Sequence, residues 1–93
     1  MIIIAGTLRV DPAARDDYLQ TVAAATAMAR DAAGCLDFAQ SADPLEPDRI
    51  NVFERWESDE DLAAFRALPG DADLPPIRAA DVHRYRISTV EPA

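Results

Sequence analysis

From residue 12 to residue 33 the chain runs through one Ala-rich stretch in which apolar side chains return at Tyr18, Val22, Ala25, Ala29 and Ala32, in steps of three and four. That spacing places them along one side of a helix. The stretch is also bounded as helices are, with Asp11 as N-cap, Pro12 as the first helical residue and Gly34 as the stop. At ~1.5 Å per residue such a helix is roughly 33 Å long, and its apolar side needs a surface of similar length to cover it. The flanking segments supply that surface. Residues 2–10 are dense in β-branched and aliphatic side chains and stop at Asp11-Pro12. Residues 35–42 follow Gly34, and the turn Asp43-Pro44-Leu45-Glu46-Pro47-Asp48 leads into residues 49–57. These predict three strands, the last two joined as a hairpin.

Ser58 with Asp61 three residues later is an Asp-bearing variant of the capping box, and it opens a second, short helix through Leu62, Phe65 and Leu68 to Pro69. Residues 69–80, with Gly70 and Pro75-Pro76, predict a loop with one turn around 77–80. Residues 81–90 predict the fourth strand, and 91–93 fray.

A chain of 93 residues has material for one core, so residues 1–93 are expected to form a single domain. No apolar run approaches the ~18 residues of a membrane span. The opening Met1-Ile2-Ile3-Ile4 lacks the basic start of a signal peptide, so the expected location is the cytoplasm. A formal charge of −8 repels phosphate backbones and anionic membranes, which argues against nucleic acid and lipid surfaces as partners. One Cys (Cys35) and one His (His83) cannot assemble a thiolate or imidazole metal site, and no EF-hand spacing occurs.

The order strand, helix, hairpin, helix, strand predicts an α+β, ferredoxin-like βαββαβ sheet with both helices on one face. The other face is then bare. Strand one alternates Ile2, Ile4, Gly6, Leu8 and Val10 against Ile3, Ala5, Thr7 and Arg9, and strand three alternates Ile50, Val52, Glu54 and Trp56 against Asn51, Phe53 and Arg55. Large apolar groups occur in both sets, so the pattern leaves open whether Ile4 and Val52 point outward. A bare face on the order of 350 Å² calls for a cover, and the economical one is an identical face from a second copy. A homodimer is therefore expected.

Two segments add to this reading. Gly34-Cys35-Leu36-Asp37-Phe38 follows the long helix, and Phe53-Glu54-Arg55-Trp56-Glu57-Ser58-Asp59-Glu60-Asp61-Leu62 joins the third strand to the second helix. In order and spacing they resemble the Gly-Cys-Leu-x-Tyr entry and the Glu-x-Trp plus acidic turn of the antibiotic biosynthesis monooxygenase family, whose members form a dimeric α/β barrel. One departure stands out. Nine residues after the Trp many members carry a His, whereas this chain has Phe65. The resemblance therefore points away from the haem-degrading relatives, which bind iron through a His on that helix.

The resemblance implies oxidation of a small aromatic molecule (a quinol, phenol or anthrone) by dioxygen with no cofactor, the protein supplying a base and a dry pocket. Trp56 would stack on the ring. Glu54, on the same face, would be a pocket acid or base with a raised pKa; an Arg partner across the dimer is its plainer role. His83 is the other candidate base, on the face of Tyr85 and Ile87. Arg86, with Arg84, could hold a phenolate or pair with acids. Asn51 could bond a substrate carbonyl, and Phe65, at the family's His position, would line the pocket. Phe38, Tyr18 and Met28 read as packing residues, Cys35 as a small buried hydrophobe, and the acids at 57 and 59–61 as a helix start. The 69–80 segment is long enough to be a lid. A non-catalytic, small-molecule-binding dimeric barrel is the competing reading, and Phe65 favours it.

Overall fold

The computed structural model describes residues 1–70 and 73–93. The elements are β1 (Ile2–Val10), a 3-10 turn (Pro12–Ala14), α1 (Arg15–Asp31), β2 (Cys35–Ala42), β3 (Arg49–Trp56), α2 (Asp59–Arg66) and β4 (Ile77–Arg86). The sheet order is β2-β3-β1-β4 with every neighbouring pair antiparallel. This is the expected ferredoxin-like α+β fold, with β3 inserted between the parallel strands that α1 connects.

Local chemistry accounts for the element ends. Asp11 accepts from the Ala13 backbone N–H at 2.9 Å and so caps the first turn, which winds as 3-10 before α1 begins at Arg15. Gly34 turns the chain into β2 at φ +79, where an added Cβ would run into the Asp61 side chain. Ser58 accepts from the Asp61 N–H at 3.1 Å and its hydroxyl donates to Asp61 Oδ2 at 2.9 Å, which starts α2 as the capping pattern predicts.

The fourth strand differs from its sequence reading. It runs Ile77–Arg86 rather than 81–90, because β1 offers partners back to Val10 once a bulge between Arg9 and Val10 brings Ile77 into register. Ile87 N–H, one residue past the strand, still donates to the Met1 carbonyl at 3.0 Å. The loop between α2 and β4 is accordingly shorter than the expected 69–80 lid, and its residues 71 and 72 lie outside the described residues.

Register sorts the two sheet faces. Across the strands, Phe38, Glu54, Ile4 and Arg84 form one row, and Ala39, Phe53, Ala5 and His83 form the next. Rows alternate, so the first faces the helices and the second faces away. Ile4 and Val52 are 4% and 7% exposed, both towards the helices, and the outward face carries Ile3, Ala5, Ala39, Phe53 and Tyr85 among polar groups. The helix-side core has two clusters. Ile2, Ile4, Phe38 and Trp56 pack with Ala29 and Leu62, while Leu8, Val10, Ile50 and Val52 pack with Tyr18 and Val22. Gly6 lies between them at φ +153, where a Cβ would stand 1.9 Å from the Asp81 carbonyl oxygen, so only Gly lets β4 close on β1 there.

Candidate functional site

The site grows from two alternate residues of β3. Glu54 and Trp56 share the helix-side face because strand side chains alternate, and both are enclosed, at 8% and 0% exposure. An indole N–H cut off from water needs an acceptor, and Trp56 Nε1 donates to Glu54 Oε1 at 3.0 Å. Glu54 Oε2 accepts nothing from the described residues. Burial pushes the Glu54 carboxyl above its ordinary value, against the opposing pull of the Trp56 N–H and the Arg66 charge. A carboxyl so placed holds or takes a proton more readily than one in water.

Phe65 closes the space above. α2 carries it onto Trp56, with ring centroids 5.4 Å apart and planes tilted by 34°, and its edge meets Phe38 at 5.9 Å. The volume beside Trp56 is therefore filled by side chains. Open space lies on either side of Phe65 instead. A depression of about 190 Å³ runs between α1 and the end of α2, walled by Met28, Phe65, Arg66 and Leu68, and another of about 240 Å³ lies where the end of α1 meets α2, walled by Ala32, Asp61, Ala64, Phe65 and Leu68. Arg66 is the residue that sequence reasoning passed over; its only signal is adjacency to Phe65 on the helix.

The remaining candidates lie elsewhere. His83 is on the outward face, its Nε2 2.6 Å from Asp81 Oδ1, so the sheet separates it from Glu54. Asn51 is consumed by the β2–β3 hairpin: Nδ2 donates to Asp43 at 3.0 Å and Oδ1 accepts from Arg49 at 2.8 Å. Arg86 and Arg84 both grip Asp59, at 2.6 and 2.5 Å, which ties the first turn of α2 to the edge strand. Asp59, read from sequence as a solvated helix-start acid, is thus the acceptor for two cations, and they hold its carboxyl below the usual range. Cys35 sits opposite Trp56 in register, beside a shallow hollow of about 400 Å³ with Arg30 and Asp37. Burial and the negative charges of Glu54 and Asp37 push its thiol up, which makes it a weak nucleophile.

A haem does not fit this donor set. The one imidazole faces away from the site, and α2 presents Phe65 to Trp56 where an iron ligand would have to stand.

Fold and site together define a ferredoxin-like α+β protein with a buried carboxyl and indole pair beneath its second helix. The family model for antibiotic biosynthesis monooxygenases matches residues 1–70, and the chain belongs to that family. Among solved structures it is similar to a candidate antibiotic biosynthesis monooxygenase from Deinococcus radiodurans, at 20% identity over 100% of this chain and 98% of that one, with a TM-score of 0.81. A second candidate, from Chloroflexus aurantiacus, shares 25% identity over 98% and 96% of the two chains, with a TM-score of 0.75. A haem degrader from Mycobacterium tuberculosis, solved with two haems in its active site, shares 18% identity over 99% and 100%, with a TM-score of 0.72. No curated protein matches the sequence. Among the described residues, no helix is long and apolar enough to cross a membrane.

Proposed function

We propose that the protein is a cofactor-independent monooxygenase that oxidises a small aromatic molecule, such as a quinol, phenol or anthrone, with dioxygen. The observation that carries this reading is the enclosed Glu54 carboxyl, held through one oxygen by Trp56, without a partner at the other among the described residues, and raised in pKa by burial. In this reading Glu54 takes a proton from the substrate, and the resulting anion donates electrons to dioxygen. For an anthrone, the carbanion adds dioxygen to give a peroxide anion, this anion takes back the proton held by Glu54 to become the hydroperoxide, and loss of water leaves a carbonyl in place of the methylene. Trp56 orients Glu54, and Phe65, packed over the Trp56 ring, excludes water. His83, Asn51 and Arg86, each engaged elsewhere, have no part in the step.

The whole of 1–93 acts as one domain in this reading, and two copies pack sheet to sheet as a dimeric α/β barrel. The dimer is supported by the outward face, where Phe53 and Tyr85 are 38% and 50% exposed beside Ile3 and Ala5. The second reading, a dimeric small-molecule binder without chemistry, is favoured by Phe65 filling the space over Trp56. Oxygen uptake with a panel of quinols and anthrones, chelator present, separates the two. Uptake that Glu54→Gln lowers by ~10²-fold or more is expected. No uptake with any member of the panel would leave the binder.

A further inference from the structure

We propose that Phe65 sets the size of the aromatic ligand, standing as a partition between the two depressions along the seam of α1 and α2. This rests on the reading that the site lies beneath that helix. Both hollows share Phe65 and Leu68 as their common wall, and each is mostly apolar with one charged residue at its wall: Met28 with Arg66 in the first, Ala32 and Ala64 with Asp61 in the second. An apolar cavity of ~150 Å³ holds one benzene ring. At about 190 and 240 Å³, each hollow takes a single ring. Pockets for larger ligands run from roughly 300 Å³ upward, so a fused two-ring or three-ring ligand fits only where the Phe65 ring leaves its place on Trp56 and the two spaces join.

The anchoring of α2 places that freedom at the right end. Its first turn is held by the Ser58 cap, by Asp59 between Arg84 and Arg86, and by Leu62 at 1% exposure. After Leu62 only Phe65 is partly covered, and Arg66 to Gly70 are exposed. The Phe65 end of the helix is therefore the weakly held end. The ring departs by turning its side chain or lifting that last turn, with the helix start fixed. Single-ring phenols bind without this displacement, and fused-ring phenols bind against it.

Titration calorimetry with phenol and with 2-naphthol tests this, and the emission of Trp56, the sole tryptophan, reports whether each ligand reaches the site. Wild-type protein is expected to prefer phenol. Phe65→Ala is expected to shift the naphthol-to-phenol affinity ratio by about tenfold or more, the range that small steric changes produce in an apolar pocket. Phe65→Leu, which keeps an apolar side chain of similar bulk and preserves folding, is expected to shift it in the same direction by less. A ratio unchanged within about twofold in both variants, or no response of Trp56 to either ligand in any of the proteins, overturns the proposal. A shifted ratio without oxygen uptake would retain the partition and remove the oxygenase reading; uptake with an unshifted ratio would do the reverse.

Discussion

Trp56→Phe should destabilise the protein, and adding Glu54→Leu should rescue it. Trp56 is fully buried and its indole is the single described donor to the Glu54 side chain. Phenylalanine removes that donor and leaves an enclosed carboxylate unpaired. A hydrogen bond to a charged group is worth about 1.5–3 kcal/mol, and the smaller ring forfeits roughly 1 kcal/mol of burial, so the loss is about 2–4 kcal/mol. A small domain holds ~5–15 kcal/mol in all, so the variant should remain folded. Glu54→Leu alone strands an indole N–H but relieves a buried charge, two effects that offset each other. In the double variant neither orphan exists. Urea unfolding at pH 7 and one fixed protein concentration should therefore find the double variant more stable than Trp56→Phe, with a coupling of about 1–3 kcal/mol. Additive losses, with the double variant the least stable of the four proteins, would refute the buried pair as the organising contact of the site.

Raised as it is by burial, the Glu54 carboxyl contributes stability that is present below its unfolded value of about 4.3 and lost as pH rises through the higher folded value. Glu54→Gln should thus gain on wild type in thermal melts as pH rises from ~4 to 7, and parallel curves would contradict this. Asp43 has the opposite sign. Bonds from Asn51 and from the Glu46 and Leu45 amides lower it to about 2, so its stabilisation is present above its unfolded value and disappears as pH falls through about 2. Asp43→Asn should show a shallower acid loss across that window by circular dichroism. On the outward face, Phe53→Asp should convert the sedimenting species from twice 10.1 kDa to 10.1 kDa while preserving the fold, whereas Val52→Asp, on the helix side, should unfold the chain. A Phe53→Asp dimer would remove the outward face as the contact between copies.

Much of this architecture is legible locally. Helix starts are written in adjacent residues, because Asp11 and Ser58 accept from backbone groups two and three positions on. The Glu54–Trp56 pairing is equally local, since two residues of one strand separated by a single neighbour share a face. Other features pass through strands distant in sequence. Ala5 pairs with Phe53 on one side and His83 on the other, and this register alone puts His83 behind the sheet from Glu54. The extra strand length at Ile77 likewise depends on a bulge in β4 at Arg78, opposite Arg9 and Val10, and the grip of Arg84 and Arg86 on Asp59 depends on where α2 docks. Periodicity in a segment reports which side chains share a face, but which face meets the helices is settled only when all four strands have paired and the apolar rows have found their cover.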